Sequence, residues 1–178
     1  IQLLIECSGK EVMNHTNNYG QNALVHAIEY NNSIEVIEYL IECSGTESVI
    51  ATDNIDMNAL MYAIHNRQPI EVIRLLLHCG GQEVVTHTDG EGKNALMLAL
   101  RHQNQPIEVI QLLIEYGGKE SVIAIDSRGQ NSLMHAVINR QPFEVIRLLL
   151  QCGGKEIVIH TDFVCGCNAI IYACRRQN

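Results

Sequence analysis

Tryptophan is absent, and aromatic residues make up only 4% of the 178 positions. Proline occurs just three times, and basic residues are outnumbered by acidic ones, twelve to twenty, for a formal net charge of −8. No apolar run approaches the roughly 18 residues that a membrane span needs. The opening Ile1-Gln2-Leu3-Leu4-Ile5-Glu6 has neither the basic start nor the small-residue cleavage site of a signal peptide. These shortages exclude a transmembrane helix, a collagen-like chain and a strongly disordered one. The acidic balance argues against a nucleic-acid partner, which calls for a basic footprint. What remains is a chain 47% apolar, enough for one domain or one continuous array with its own core.

The charge is uneven. Residues 1–89 hold three basic and twelve acidic side chains, net −9, whereas residues 90–178 hold nine and eight, net +1. Such a gradient can steer a partner, although drift on a solvated surface produces the same pattern. Seven cysteines are present, and Cys7, Cys43, Cys79 and Cys152 fall at one recurring position. Recurrence at equivalent sites suits packing as a small apolar residue better than a disulfide framework. An intracellular, cytoplasmic and reducing setting is therefore expected, against the weak opposing signal of two glycosylation triplets, Asn14-His15-Thr16 and Asn31-Asn32-Ser33.

Self-similarity decides the architecture. Ile34-Glu35-Val36-Ile37, Ile70-Glu71-Val72-Ile73, Ile107-Glu108-Val109-Ile110 and Phe143-Glu144-Val145-Ile146 start 36, 37 and 36 residues apart. A second motif keeps step: Asn22-Ala23-Leu24, Asn58-Ala59-Leu60, Asn94-Ala95-Leu96, Asn131-Ser132-Leu133 and Asn168-Ala169-Ile170. Each unit reads as two helices. The inner one opens at the Asn, a strong N-cap, giving helices near 22–31, 58–66, 94–103, 131–139 and 168–177. The outer one opens at Pro69, Pro106 or Pro142 as its first residue, with Ser33 as a cap in the earlier copy. A Glu in its first turn complements the helix dipole. Gly80-Gly81, Gly117-Gly118 and Gly153-Gly154 stop the outer helix. The β-branched runs Val84-Val85-Thr86, Val122-Ile123-Ala124-Ile125 and Ile157-Val158-Ile159 that follow predict a brief extended arm. Turns at Asp53, Asp89 and Asp126 then reverse the chain. Neither helix buries its apolar face alone, so the units must stack.

These units resemble ankyrin repeats. Asp126-x-x-Gly129-x-Asn131-Ser132-Leu133-Met134-x-Ala136 and Glu71-Val72-Ile73-Arg74-Leu75-Leu76-Leu77-His78-Cys79-Gly80 carry the resemblance. It implies an all-α solenoid of stacked helix-turn-helix repeats joined by short β-hairpins or extended loops. Residues 1–178 form a single array of about five repeats on this reading. Three departures stand out. Asn-Ala-Leu-Met replaces the family's Thr-Pro-Leu-His, so an apolar contact is expected in place of its hydrogen bonding. The period exceeds the family's roughly 33 residues by one residue between the helices and about two after the Gly pair, a place for an extra helical turn. The last hairpin, Asp162 to Cys167, carries one further residue and should be irregular. Ile1 to Glu6 matches the later part of an outer helix and the chain stops after an inner one, so a piece of a longer array is expected.

The resemblance implies binding to another protein, through hairpin tips and the concave inner-helix face, rather than catalysis. Carried across copy by copy, the tips supply Tyr19, Ile55, Met57 and Arg128. The inner helices supply Tyr30, His65, Arg101, His102 and Arg175, with Arg176 beside it. A row one turn earlier holds His26, Tyr62, Leu98, His135 and Tyr172. Tyr62 and His135 are taken from it as contact residues, since Tyr and Arg above all dominate interfaces. The plain alternative is tolerated surface residues. Self-association end to end, or service as the targeting arm of a larger protein, is the competing role.

No catalytic residue, cofactor or metal is assigned. His160, Cys165, Cys167 and Cys174 lie within fifteen residues, a set that zinc takes. However, Cys-x-Cys is not the usual spacing and Cys174 falls in a helix, so ordinary thiols are expected. His15, His87 and His160 share one repeat position, which points to a structural hydrogen bond. Gly117-Gly118-Lys119 and Gly153-Gly154-Lys155 follow a helix instead of preceding one, so they are helix stops and not phosphate loops.

Overall fold

Asparagine starts every inner helix of the computed structural model, which describes residues 15–175. The side-chain oxygens of Asn22, Asn58, Asn94 and Asn131 accept from the backbone N–H of Val25, Met61, Met97 and Met134 at 2.9 to 3.0 Å. Asn168 does the same for Ile171 at 3.0 Å. The inner helices are α1 (Ala23–Glu29), α4 (Ala59–His65), α6 (Ala95–Ala99), α8 (Ser132–Ile138) and α11 (Ala169–Arg175). The expectations for Ile1 to Glu6, Cys7 and Arg176, and for the triplet that begins at Asn14, lie outside the described residues.

The outer helices are α2 (Ile34–Ser44), α5 (Ile70–Thr86), α7 (Ile107–Ile123) and α9 (Phe143–Gly153). Proline stands one residue earlier than expected. Pro106 and Pro142 are N-caps with extended ψ of 135° and 154°, and their carbonyls accept the first helical N–H bonds. Ser33 holds the N-cap of α2 without capping a backbone N–H. Its hydroxyl instead bonds the Glu35 carboxylate and holds that carboxyl below its usual range.

The β-branched runs are helical rather than extended. α5 and α7 break at Gly81 and Gly118, whose φ of 57° and 58° is non-helical. Each then resumes for one more turn, through Val84-Val85-Thr86 and Val122-Ile123. Separate turns α3 (Glu47–Ile50) and α10 (Glu156–Ile159) do the same after the first and fourth helix pairs. Burial decides this over β propensity: Val49, Val84, Val85, Val122 and Ile157 are all core residues. This is the extra helical turn that lengthens the period. Only Ala124 and Ile125 of the predicted arms stay extended, and Ile125 forms an isolated antiparallel bridge to Asn131. Thr52–Asn58 and Thr88–Asn94 bridge likewise, and no longer strand occurs among the described residues.

Two units divide the chain, residues 1–84 and 85–178. In the first, Leu24, Ile28, Ile37, Leu60, Met61, Ile64, Ile73, Leu76 and Leu77 make the core. In the second, Leu96, Met97, Leu100, Ile110, Leu113, Met134 and Leu149 do so. A fully buried side chain of this kind contributes about 1.5–3 kcal/mol. Alanines at 59, 63, 95, 99 and 136 are buried where helices approach closely.

The Asn-Ala-Leu-Met motif meets its expectation in part. Its methionines are fully buried, but hydrogen bonding persists by another route. The Asn amide groups of 22, 58, 94 and 131 donate to the carbonyls of Ser48, Val84, Ser121 and Ile157 at 2.7 to 2.9 Å. One side chain thus caps the inner helix and ties down the extra turn about 26 residues later.

Candidate functional site

Each hairpin is built around one Asp or Asn side chain. Asp53 Oδ1 accepts from the N–H of Ile55 and Met57 at 3.0 and 2.8 Å. Asp89 and Asp126 repeat the pattern, toward Glu91 and Lys93 and toward Arg128 and Gln130. Asn17 substitutes in the first hairpin, accepting from Tyr19 and Gln21. Neighbouring hairpins are joined by a backbone bond, from Asn54 N–H to Tyr19 O in unit 1 and from Ser127 N–H to Glu91 O in unit 2. The last hairpin closes one residue later than the others, Asp162 N–H bonding Cys167 O, which is the irregularity its extra residue requires.

The second carboxylate oxygen holds the row of side chains one turn into the inner helix. Tyr62 donates to Asp53 Oδ2 at 2.6 Å, Tyr172 to Asp162 Oδ2 at 2.6 Å, and His135 Nε2 lies 3.0 Å from Asp126 Oδ2. The preceding hairpin adds a donor: Gln21 Nε2 to the Tyr62 hydroxyl at 3.0 Å, and Gln130 Nε2 to the Tyr172 hydroxyl at 2.9 Å. Burial first, then the Asp53 carboxylate, pushes the Tyr62 phenol up to about 12. At Asp162 burial works the other way but is outweighed by bonds from the Cys165 N–H and the Tyr172 hydroxyl, which hold the carboxyl at about 2. These Asp–Tyr and Asp–His latches escaped sequence reasoning. Their signal was present as a nine-residue spacing, Asp53 to Tyr62 and Asp126 to His135, stretched by the inserted residue to ten in Asp162 to Tyr172.

Within unit 1 a groove of about 420 Å³ brings together Tyr19, Tyr30, Ile55 and Tyr62 of the sequence-predicted set. Tyr19, Tyr30 and Ile55 are 72%, 67% and 59% exposed. His26 stacks obliquely on Tyr30, with ring centres 4.5 Å apart at 52°. Glu29 and Asp53 also line the groove, and Gln21 Nε2 bridges from Tyr62 to Glu29 Oε2 at 3.0 Å. The surface is aromatic and acidic. Met57 is half-buried and His65 is exposed at the end of α4, and neither lines this groove.

Unit 2 has its own groove of about 310 Å³, which holds Arg101, Arg128 and His135. Three cations, Lys93, Arg101 and Arg128, face two carboxylates, Glu91 and Asp126. The Lys93 ammonium pairs with Glu91 and, with Arg101 and Arg128, holds that carboxyl below its usual range. His135 is only 6% exposed. Burial pulls its imidazole below the usual range, against the opposing pull of Asp126. His102 is half-buried, and its carbonyl accepts from Gln141 Nε2 at 3.1 Å. Arg175 is exposed and reaches the Cys165 sulfur, away from this groove.

Of the candidate metal residues only Cys165 and Cys167 come together, and Asp162, outside that set, joins them within 4.8 Å. His160 instead gives Nε2 to the Gly129 carbonyl at 2.9 Å, the structural bond its repeat position suggested. Cys174 is exposed outside the cluster.

No helix among the described residues is long and apolar enough to cross a membrane. No curated protein matches the chain. The family model described as ankyrin repeats (3 copies) matches residues 1–88 and again residues 70–161. With Asx-anchored hairpins and paired helices recurring in step with that match, the chain belongs to the ankyrin-repeat family, whose members generally serve as protein–protein interaction modules.

Proposed function

We propose that residues 1–178 are a single protein-binding array of about five repeats, gripping a partner protein through hairpin tips and inner-helix faces. One observation carries this: Tyr19, Tyr30 and Ile55 stand largely in solvent around one groove. Large apolar side chains gathered at a concavity are what an interface covers. The rest of the contact set comprises Met57, Tyr62, His65, Arg101, His102, Arg128, His135 and Arg175. The two grooves ask for different chemistry. Unit 1 holds three basic and eleven acidic residues, whereas unit 2 holds nine of each, so the whole net charge of −8 falls on residues 1–84. A partner segment with basic and aromatic residues suits the unit 1 groove, and an acidic one suits the three cations of unit 2. The role is binding rather than catalysis, without metal or cofactor. The six described cysteines are free, which supports an intracellular, cytoplasmic setting.

Capture from the source lysate tests this, comparing wild type with Tyr19→Ala/Tyr30→Ala/Ile55→Ala and with Arg128→Ala. These side chains are exposed, so equal helicity by circular dichroism is expected. A protein held by wild type and lost from the triple variant supports the reading. Equal capture by all three overturns the grooves as the working surface. A second reading, association between copies, draws on exposed Phe163, Val164, Ile170 and Ile171 in unit 2. Light scattering across protein concentration tests it, and a strict monomer removes it.

A further inference from the structure

The last hairpin places two thiols against each other. Cys165 Sγ and Cys167 Sγ lie 2.8 Å apart. Gly166 between them has φ 63°, a conformation that glycine adopts at little cost. The two sulfurs are not equivalent: Cys165 is exposed, while Cys167 is buried, only 2% exposed. Cys165 Sγ also lies 3.6 Å from Arg175 Nη1, 3.4 Å from Asp162 Oδ2 and 3.9 Å from the Tyr172 hydroxyl. The hydrogen bond shared by the sulfurs holds the Cys165 thiol below its usual range and pushes the Cys167 thiol above it. Tyr172 and the Arg175 guanidinium add to the lowering, against desolvation and Asp162.

A metal site fits this cluster poorly. Asp162 Oδ2 already accepts from Tyr172, and its Oδ1 accepts from the N–H groups of Val164 and Cys165. A guanidinium approaches the very sulfur that a cation would need. Exposed, cation-flanked Cys165 beside a buried second thiol is instead the arrangement of an attacking and a resolving cysteine.

We propose that Cys165 and Cys167 form a thiol–disulfide exchange site for a small disulfide of the glutathione type, with Cys165 attacking and Cys167 resolving. The Cys165 thiolate attacks one sulfur of the small disulfide. A Cys165–sulfur bond forms as the substrate S–S bond breaks, and the departing thiolate takes a proton from solvent. Cys167, its proton lost to solvent, then attacks Cys165 Sγ, closing the protein disulfide and releasing the second small thiol. Two protein thiols are oxidised and one small disulfide is reduced to two thiols. The closed loop contains one intervening residue, so it gains little from loop closure, and excess small thiol reopens it.

Fully reduced chain is incubated with glutathione disulfide, quenched with alkylating agent, digested and read by mass spectrometry. The expected product is a Cys165–Cys167 bridge retaining little glutathione. Cys167→Ser should accumulate glutathione on Cys165, and Cys165→Ser should leave Cys167 as a free thiol. At pH 7 Cys165 should react about threefold or more faster than exposed Cys174, and Arg175→Gln should narrow that ratio. Glutathione collecting first on Cys174, a bridge to another cysteine, or a mixed disulfide that persists in wild type each overturns the proposal. So does stoichiometric zinc that shields both thiols from alkylation in the reduced chain. The wild-type bridge is read without any variant, so a poorly folded variant leaves the test intact.

Discussion

The asparagine that opens each of the first four inner helices does two tasks, and only one was legible in the sequence. Its position before Ala-Leu announces a cap. Its bond to a carbonyl about 26 residues away has no local signature, because the partner is a backbone group. Removing Asn94 therefore costs more than a cap. Asn94→Ala also removes the 2.7 Å bond to the buried Ser121 carbonyl, leaving it the 3.3 Å bond from the Ser132 hydroxyl, and about 2 kcal/mol of destabilisation in urea unfolding is expected. Asn94→Ser, which keeps an acceptor for Met97 N–H but is too short to reach Ser121, should lose about half as much. His135 offers a second test at this scale. Burial disfavours its charged form, with Asp126 attracting its proton and Lys93 and Arg101 repelling it. Its folded pKa lies below the unfolded value of about 6.5, so at pH between the two the unfolded chain binds the extra proton. Stability is then lost as pH falls below about 6.5, and is regained as pH rises. Melting temperatures across that window should show this slope in wild type. His135→Tyr, which restores the tyrosine found at 62 and 172, should flatten it.

Helix starts and stops were legible because their signals are local: Asn, Pro and paired Gly. The turn after the glycines was misread because Val84-Val85-Thr86 and its counterparts have β propensity. Their burial against neighbouring helices, which overrides it, is invisible locally. The two glycines of each stop also differ in purpose. A Cβ at Gly117 would lie 2.6 Å from Ser121 and from Val85 Cγ1, so the first glycine admits the returning turn. At Gly118 there is open space but φ of 58°, so the second reverses the chain. Gly118→Ala should cost about 1 kcal/mol from backbone strain alone. Gly117→Ala should cost about 2–3 kcal/mol by forcing buried neighbours apart. Equal losses in urea midpoints would contradict this division. The groove residues were legible by the same copying: Tyr19, Tyr30 and Ile55 were carried across from repeat positions and are exposed. Tyr62 and His135 were carried across too, but their bonds to Asp53 and Asp126 make alanine at either position a lesion of the hairpin as well as of the surface.

At the scale of the whole molecule, the motifs repeated in each copy carried the family resemblance that the family model bears out, whereas the two kinds of groove depend on what each copy substituted into it. Within each of the two units, neighbouring copies brace one another in the same way. Gln68 donates from the second helix pair to the end of α1, and Gln141 from the fourth to the end of α6. Stability in such an array is a sum of unit and nearest-neighbour terms, so a lesion should be felt locally. Asn131→Ala removes the cap of α8 and its tie to Ile157. Native-state hydrogen exchange should then show the largest loss of protection in α8, a smaller loss in α6 and α11, and the smallest in α1 and α4. Exchange that rises equally in all five inner helices would mean that the chain opens as one cooperative block, and that nearest-neighbour bracing does not govern its stability.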